Sequence, residues 1–224
     1  MKNLIFLALL IGFSTFTHGQ NCDTYAPLTE GVFLELTNYN AKGKATGRTE
    51  HLVIDSSPAS AVFQATIFDK KDKEVSQMEY NVQCADGGFQ VEMANYLDTG
   101  NLAASEFEIE MDGDFLTFPA NMQVGDELEA GELNAELQSS GTTLMRLGFS
   151  IFNRKVEAIE SITTPAGTFD CVKLSYDFTS KTGFINVKGS ATEWVSENIG
   201  VVKSESYNKN GKLIGYSELT RYDK

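Results

Sequence analysis

Short runs that alternate apolar and polar residues recur along the chain, and this alternation limits the possible folds more than any other feature. Clear examples are residues 32–36 (VFLEL), 61–67 (AVFQATI) and 107–111 (FEIEM), where every second side chain is apolar. A period of two gives a β-strand one apolar and one polar face. The sequence therefore predicts strands with one face in the core and the other in solvent.

Further strands are predicted after Gly141, at a spacing typical of a meander of hairpins. Their bounds are residues 143–151, 154–163, 168–179, 183–195, 199–207 and 213–222. Helical periodicity is scarce and allows one or two short helices, around residues 95–105 and 126–137. We expect an all-β fold in which a single antiparallel sheet is strongly curved or forms a half-open β-barrel.

Glycine and proline mark the turns between these strands. Pro165 fixes a backbone angle and Gly167 allows a positive φ, which suits the loop of a hairpin. Residues 39–47 (YNAKGKATG) and 207–215 (YNKNGKLIG) share Tyr, Asn, Gly, Lys and Gly at equivalent positions. Both segments predict a strand, a turn at Gly43 or Gly211, and a second strand. The likeness fits either an old duplication or the common demands of a hairpin turn.

Residues 1–19 have the layout of a secretory signal peptide. Lys2 is followed by an apolar run over residues 4–13 and then by small polar residues up to Gly19. Cleavage after Gly19 leaves residues 20–224, which we expect to form a single domain without a transmembrane segment. Cys22 raises the alternative of a lipoprotein, but the residues just before it are not those that normally precede a lipidated cysteine. We predict a secreted or periplasmic protein.

Negative charge is concentrated in the middle third of the chain. The formal net charge is −13, and residues 74–145 contain 15 acidic residues but no lysine or arginine. This imbalance argues against nucleic acid and against anionic lipid headgroups as partners. The acidic stretch forms either a solvated face or a site that collects divalent cations, and a solvated face is the commoner arrangement.

Three cysteines, Cys22, Cys84 and Cys171, indicate one disulfide and one free thiol in an oxidising compartment. Cys171 follows Phe169 by two residues in a predicted strand, so both side chains lie on the same, apolar face. We therefore expect Cys171 to be a buried thiol. Cys22 and Cys84 are then the candidate disulfide, although spacing alone does not fix the pairing. A cysteine nucleophile is not favoured, because His51 is the only histidine after the signal segment that could act as its base.

The sequence lacks the common catalytic and cofactor motifs, so we predict no catalytic and no cofactor-binding residue. There is no CxxC, GxSxG, HExxH or GxxxxGK[ST]. Asp112 and Asp114 are weak candidates for Ca²⁺ ligands, but Asp112-Gly113-Asp114 more simply predicts a hairpin turn. The abundant carboxylates leave open a carbohydrate-active hydrolase that uses a pair of them. The only tryptophan, Trp194, fits an apolar strand position better than a sugar platform.

Several motifs together resemble the TapB-like family of secreted bacterial proteins, a family of unknown function. They are residues 160–171 (ESITTPAGTFDC), 193–194 (EW) and 200–207 (GVVKSESY), with Cys22, residues 39–47, 118–119 (FP) and 124–126 (VGD). The resemblance covers nearly the whole chain after the signal segment. It implies a β-rich protein of the Gram-negative envelope and provides no active-site residue.

Aromatic side chains of the C-terminal half either line an apolar pocket or simply fill the core. They are Phe149, Phe152, Phe169, Tyr176, Phe178 and Phe184. We favour binding without catalysis, of a small apolar or amphipathic ligand on a concave β surface or of another envelope protein. A hydrolase with paired carboxylates and a structural or assembly component of the envelope are the alternatives. The oligomeric state stays open.

Overall fold

The computed structural model describes residues 24–85, 88–96 and 108–224, and most of them lie in one antiparallel sheet of 14 strands. A 3₁₀ turn at Met93–Tyr96 follows the fifth strand. The strands are β1 Phe33–Asn40, β2 Ala45–Ser57, β3 Ser60–Asp69, β4 Glu74–Ala85, β5 Gly88–Glu92, β6 Glu108–Gly113, β7 Phe115–Pro119, β8 Glu127–Leu128, β9 Gly131–Ser139, β10 Thr142–Thr164, β11 Gly167–Thr182, β12 Ile185–Ser196, β13 Gly200–Asn208 and β14 Leu213–Asp223. The predicted all-β fold with one strongly curved antiparallel sheet is confirmed.

The sheet curves until its two edges nearly meet. The strand order is β6-β9-β10-β11-β12-β13-β14-β1-β2-β3-β4-β5-β7, and β8 pairs β10 outside this path. The edge strands β6 and β7 are separated in the chain by Asp114 alone. The Asp114 N–H donates to the Glu132 carbonyl (2.9 Å), and its carbonyl accepts from the Met93 N–H (3.0 Å). The sheet is therefore a nearly closed barrel whose edges join at Asp114.

Two local predictions in the acidic third are wrong. The segment Asp112-Gly113-Asp114 is not a hairpin turn, because β6 pairs β9 and β7 pairs β5. Residues 126–137, where the sequence allows a short helix, form β8 and β9 instead. Gly131 disfavours a helix over this segment, and in the sheet it leaves room for Leu116 of β7, whose Cδ2 would lie 2.6 Å from a Cβ at this position. Residues 97–105, in the other helical candidate, lie outside the described ranges.

The two strands predicted on either side of Phe152 form one long strand, β10, which bends at a bulge. Asn153 has a φ of +54°, and the register with β11 shifts here. The bulge directs the Arg154 side chain inward, where it is buried. Its Nη1 donates to the carbonyls of Thr117 (3.1 Å) and Glu129 (2.8 Å). A buried arginine therefore holds β10 against β7 and against the segment before β9.

Antiparallel strands joined by hairpins place their turns at two opposite ends of the barrel. Tyr25 packs against the rings of Phe89 (6.4 Å between centroids) and Phe118 (5.9 Å), and the Thr24 carbonyl accepts from the Asn198 N–H (2.7 Å). This segment covers the end that we call the closed end. The turns at the closed end are residues 58–59, 165–166 and 197–199, and the turns at the opposite end, the open end, are residues 41–44, 70–73, 140–141, 183–184 and 209–212.

Three turns of the open end share one hydrogen-bonding pattern. Asn40, Asp69 and Asn208 each end a strand, and the side-chain Oδ1 of each accepts from the N–H groups two and four residues later, at 2.7–3.1 Å. Such side-chain bonds stabilise a turn without help from other elements. Each turn contains one residue of positive φ, and these residues are Gly43 (+75°), Asp72 (+67°) and Gly211 (+74°).

Candidate functional site

The open end leads into a cleft of about 650 Å³ inside the curved sheet. Its walls come from β1–β4 on one side and from β12–β14 on the other, with Asn95 of the 3₁₀ turn between them. Gly47, Asp69 and Ser206 line the cleft and lie beside open-end turns, which places the mouth at that end. The volume lies in the range of about 300–1,000 Å³ that is usual for small-molecule sites.

On the walls formed by β1 and β13 the lining changes from apolar to polar toward the mouth, whereas Ile67 and Val75 keep an apolar strip there on β3 and β4. On β1, Leu36 lines its inner part and Asn38 lines the part nearer the open end. On β13, Val201 is followed outward by Ser204 and Ser206. A smaller apolar cavity of about 70 Å³ lies next to the inner part, toward the closed end. The arrangement matches a ligand with an apolar portion held inside and a polar portion held at the mouth.

His51 lies where the cleft and the smaller cavity meet. Its Nδ1 is 3.1 Å from the Tyr80 hydroxyl, and the Tyr80 ring in turn stacks on Phe63 at 5.1 Å between centroids. Burial lowers the pKa of His51 to about 4 and raises the pKa of Tyr80 well above its ordinary value. His51 is therefore neutral at neutral pH, as a polar group held against an aromatic stack.

Polar groups on the opposite wall are also held in place by hydrogen bonds. The Tyr176 hydroxyl donates to Glu193 Oε1 at 2.7 Å, and Glu193 is almost fully buried. The hydroxyl oxygens of Ser204 and Ser217 are 2.8 Å apart. Because a hydroxyl both donates and accepts, each serine keeps capacity for a bond to a ligand. Glu193, Ser204 and Ser217 therefore form a fixed polar wall of the cleft.

The two candidate calcium ligands, Asp112 and Asp114, have different surroundings in the structure. Asp114 Oδ2 accepts from the Glu132 N–H at 3.0 Å, at the junction of the two sheet edges, and Asp112 is exposed on β6. Residues 24–85, 88–96 and 108–224 contain no group of three or more His, Cys, Asp or Glu side chains arranged to hold a metal ion.

The structure describes two of the three cysteines and the predicted turn residues Pro165 and Gly167. Cys171 is a buried free thiol, and burial raises its pKa to about 11. Cys84 takes part in a disulfide. Cys22 lies outside the described residues, so the pairing of Cys22 with Cys84 stays a prediction. Pro165 lies in the turn between β10 and β11, and Gly167, the first residue of β11, has a φ of +144°.

The C-terminal aromatic residues named in the sequence analysis do not line the cleft. Phe149 and Phe178 pack on each other at 6.0 Å between centroids, and Phe184 is fully exposed. Trp194 is buried outside the cleft, where its Nε1 donates to Glu160 Oε1 (2.7 Å) and Lys173 and Lys203 approach its ring, at 5.1 and 4.8 Å from the centroid. Such a ring is not an open platform for a sugar.

Sequence reasoning missed the polar wall. Ser204 and Ser206 stand two apart on β13, so alternation alone places them on one face, and Ser217 faces them from β14. The useful signal is that small polar residues occupy positions where a filled barrel needs apolar ones. The sequence does not indicate the position of His51 in the cleft, because its contact with the Tyr80 hydroxyl comes from β4.

A family model places the chain among known proteins. It describes DUF3108-like proteins and matches residues 29–219. The chain belongs to the DUF3108-like family. No curated protein shows significant sequence similarity to it. The family membership supplies no function, so the cleft has to be interpreted from its own residues.

Two solved structures confirm the fold. A candidate exported protein of Bacteroides fragilis with a YmcC-like fold is 30% identical, with a TM-score of 0.78 over 89% of this chain and 98% of the other. A candidate lipoprotein of Parabacteroides distasonis is 24% identical, also with a TM-score of 0.78, over 91% of this chain and 100% of the other. In the part of the chain that the structure describes, no helix has the length and hydrophobicity to cross a bilayer.

Proposed function

We propose that this DUF3108-like protein binds a small amphipathic ligand in the cleft, without changing it chemically. The observation that carries the proposal is the change from an apolar interior at Leu36 and Val201 to a polar mouth at Asn38, Ser204 and Ser206. An apolar portion of a ligand gains free energy by leaving water inside, while its polar portion finds hydrogen-bonding groups at the mouth. If the interior of the sheet served only to stabilise the fold, side chains would fill this space.

The hydrolase alternative has weaker support in the cleft. Asp69 and Glu193 are the carboxylates among its described lining residues. Backbone hydrogen bonds from Lys73 and Lys71 lower the pKa of Asp69, and they hold this carboxylate within its own turn. A general acid for glycoside cleavage needs the opposite shift. Binding is therefore the function that this arrangement supports best.

We infer that the protein works in the cell envelope or outside the cell. The solved relatives are described as an exported protein and a lipoprotein, which agrees with a signal peptide over residues 1–19 and a place in the envelope or outside the cell. The narrower resemblance to TapB-like proteins stays a prediction. An amphipathic molecule in this compartment is the class of ligand that the cleft favours.

Filling the cleft tests the proposal. We would measure the mass of the protein isolated from its own envelope fraction under native conditions, and again after denaturation. We expect an additional mass that is lost on denaturation. The variant Ser206→Trp places a large ring in the cleft and should abolish the additional mass, whereas Ser190→Trp should retain it. Ser190 pairs with Tyr207, on the opposite face of the sheet.

Two results would contradict ligand binding in the cleft. One is a bare polypeptide mass in the wild-type protein, together with no binding of amphipathic probes such as lysophospholipids in solution. The other is an additional mass that Ser206→Trp retains while its melting temperature is unchanged. A loss in both tryptophan variants would show that the effect does not come from the cleft.

A further inference from the structure

Lysines are concentrated in the turns of the open end. Three of these turns contain seven of the chain's 18 lysine and arginine residues, and their one acidic residue, Asp72, forms an ion pair with Arg48. The seven are Lys42, Lys44, Lys70, Lys71, Lys73, Lys209 and Lys212, and all are exposed. The described turns of the closed end contain no lysine or arginine but contain Glu197. These three turns are therefore basic in a strongly acidic protein, although Asp69 and Glu74 border one of them.

The longest hairpin of the same end carries an exposed apolar tip. Phe184 is fully exposed, Ile185 is 66% exposed and Val187 is about half exposed. Leu144, on the neighbouring β10, is also about half exposed. Most exposed apolar residues on a protein occur singly, so an apolar tip at the end of a hairpin requires an explanation. Residues 178–192 contain no acidic residue.

This tip projects beyond β13 on one side, whereas on the other side the β9–β10 hairpin extends further, since residues 142–146 continue past the last pair between β10 and β11. Gly189 and Asn208 form the outermost pair between β12 and β13, so residues 185–188 continue past the paired part of β13. At about 3.3 Å per residue, this extension is about 13 Å long. Lys181 and Lys188 are exposed on the two strands of the hairpin, just behind the apolar residues. An apolar tip with lysines behind it fits a layer that has an apolar interior and negatively charged groups at its surface.

We propose that the open end binds the surface of an anionic lipid bilayer, with Phe184 and Ile185 inserted among the lipids and the turn lysines against the phosphate groups. Each lysine near such a surface adds electrostatic attraction to the anionic headgroups. The mouth of the cleft lies at the same end, so a bound protein would present the cleft to the membrane. The proposal does not depend on ligand binding and rests on the tip and the lysines alone.

The net charge alone argued against anionic lipids as partners, and the fold changes that conclusion. Negative charge of the middle third lies mainly on β4–β9, whereas the lysines converge from turns far apart in the sequence. Electrostatic attraction to a charged surface falls off within about 10 Å at moderate salt. The charge of the end that faces the membrane therefore decides binding, and the charge of the whole chain does not.

Vesicle co-sedimentation tests the proposal with the full protein as isolated from cells. We expect binding to vesicles that contain phosphatidylglycerol, much weaker binding to vesicles of phosphatidylcholine alone, and a loss of binding as salt is added. Equal binding to both kinds of vesicle, or no binding to either, would overturn the proposal. Self-association through the tip without vesicle binding would overturn it in favour of a second copy as the occupant.

Paired variants separate the tip from exposed apolar surface in general. Phe184→Ser should weaken binding to phosphatidylglycerol vesicles about tenfold or more, since the ring no longer leaves water on insertion. Ile159→Ser is the matched control, because Ile159 is 62% exposed on β10 away from the tip. An equal effect of the two substitutions would exclude the tip as the contact.

A second pair of variants tests the lysines. Lys42→Glu with Lys209→Glu should weaken binding about tenfold or more and reduce its dependence on salt. The control is Lys155→Glu with Lys224→Glu, which changes the net charge equally at exposed positions outside the open end. Equal losses in both double variants would show that only net charge matters, and the proposed orientation would then be wrong. Circular dichroism would verify that each variant is folded.

Discussion

Protonation of His51 should make the protein less stable in mild acid, and the variant His51→Gln should remove this effect. Burial lowers the pKa of His51 to about 4 in the folded protein, against about 6.5 in an unfolded chain. The unfolded state therefore takes up the proton first as the pH falls. The contribution of neutral His51 to the free energy of unfolding is fully present above about pH 6.5 and is lost as the pH falls from this value to about 4.

The size of the effect follows from the pKa difference. At 1.36 kcal/mol per pH unit, the shift corresponds to about 3 kcal/mol, and we expect about 2 kcal/mol because the ring borders a cleft that water can enter. Carboxylates such as Glu136 and Glu160 have pKa values lowered by hydrogen bonds from Arg146 and Trp194. Their contribution is lost only below about pH 4.5. Above about pH 4.5, the change in stability with pH therefore reports on His51 and not on these carboxylates.

Urea unfolding followed by tryptophan fluorescence, at a series of pH values, measures the effect. The free energy of unfolding of the wild-type protein should fall relative to His51→Gln by about 1.4 kcal/mol for each pH unit below about 6. The variant removes the charge change and keeps a polar side chain near the Tyr80 hydroxyl. Parallel curves for the two proteins, or an imidazole NMR titration centred near the unfolded value, would refute the reasoning.

Further predictions concern the turns, the bulge and the free thiol. Gly211→Val forces a branched side chain to a φ of +74° and should lower the free energy of unfolding by about 1–3 kcal/mol, whereas Asn210→Ala next to it should change the melting temperature little. Arg154→Met removes the buried donor that binds the carbonyls of Thr117 and Glu129 and should cost about 2–3 kcal/mol in urea unfolding, and a loss below about 0.5 kcal/mol would contradict its role. Cys171 should resist alkylation in the folded protein and react fully in denaturant, as measured by mass spectrometry, and rapid labelling of the native protein would disprove its burial.

Local pattern was sufficient to predict the strands of the C-terminal half. Alternation between apolar and polar residues depends only on neighbours along the chain, so β11, β13 and β14 lie close to their predicted bounds. The turns at Gly43 and Gly211 have a glycine that allows positive φ. The equivalent turn at residues 70–73 was missed, because Asp72 occupies the position of the glycine.

The closure of the barrel could not be predicted in the same way. The two edges meet at Asp114, and its environment depends on Glu132 near the start of β9 and on Met93 in the 3₁₀ turn, which are distant in sequence. The pairing of β1 with β14 joins the two ends of the described chain, and no local pattern indicates it. The cleft exists only after both pairings have formed, so its polar wall has no signature within any one strand.

Hairpin connectivity links the two proposals without making either depend on the other. Because each strand reverses the direction of the last, the lysine-rich turns, the apolar tip and the mouth of the cleft must all occur at one end. Ser206→Trp should therefore lose the ligand and still bind anionic vesicles, since the substitution lies inside the cleft. Phe184→Ser should lose vesicle binding and keep the ligand in solution. If either variant lost both properties while folded, the cleft and the tip would be one site, and the ligand would be part of the membrane contact.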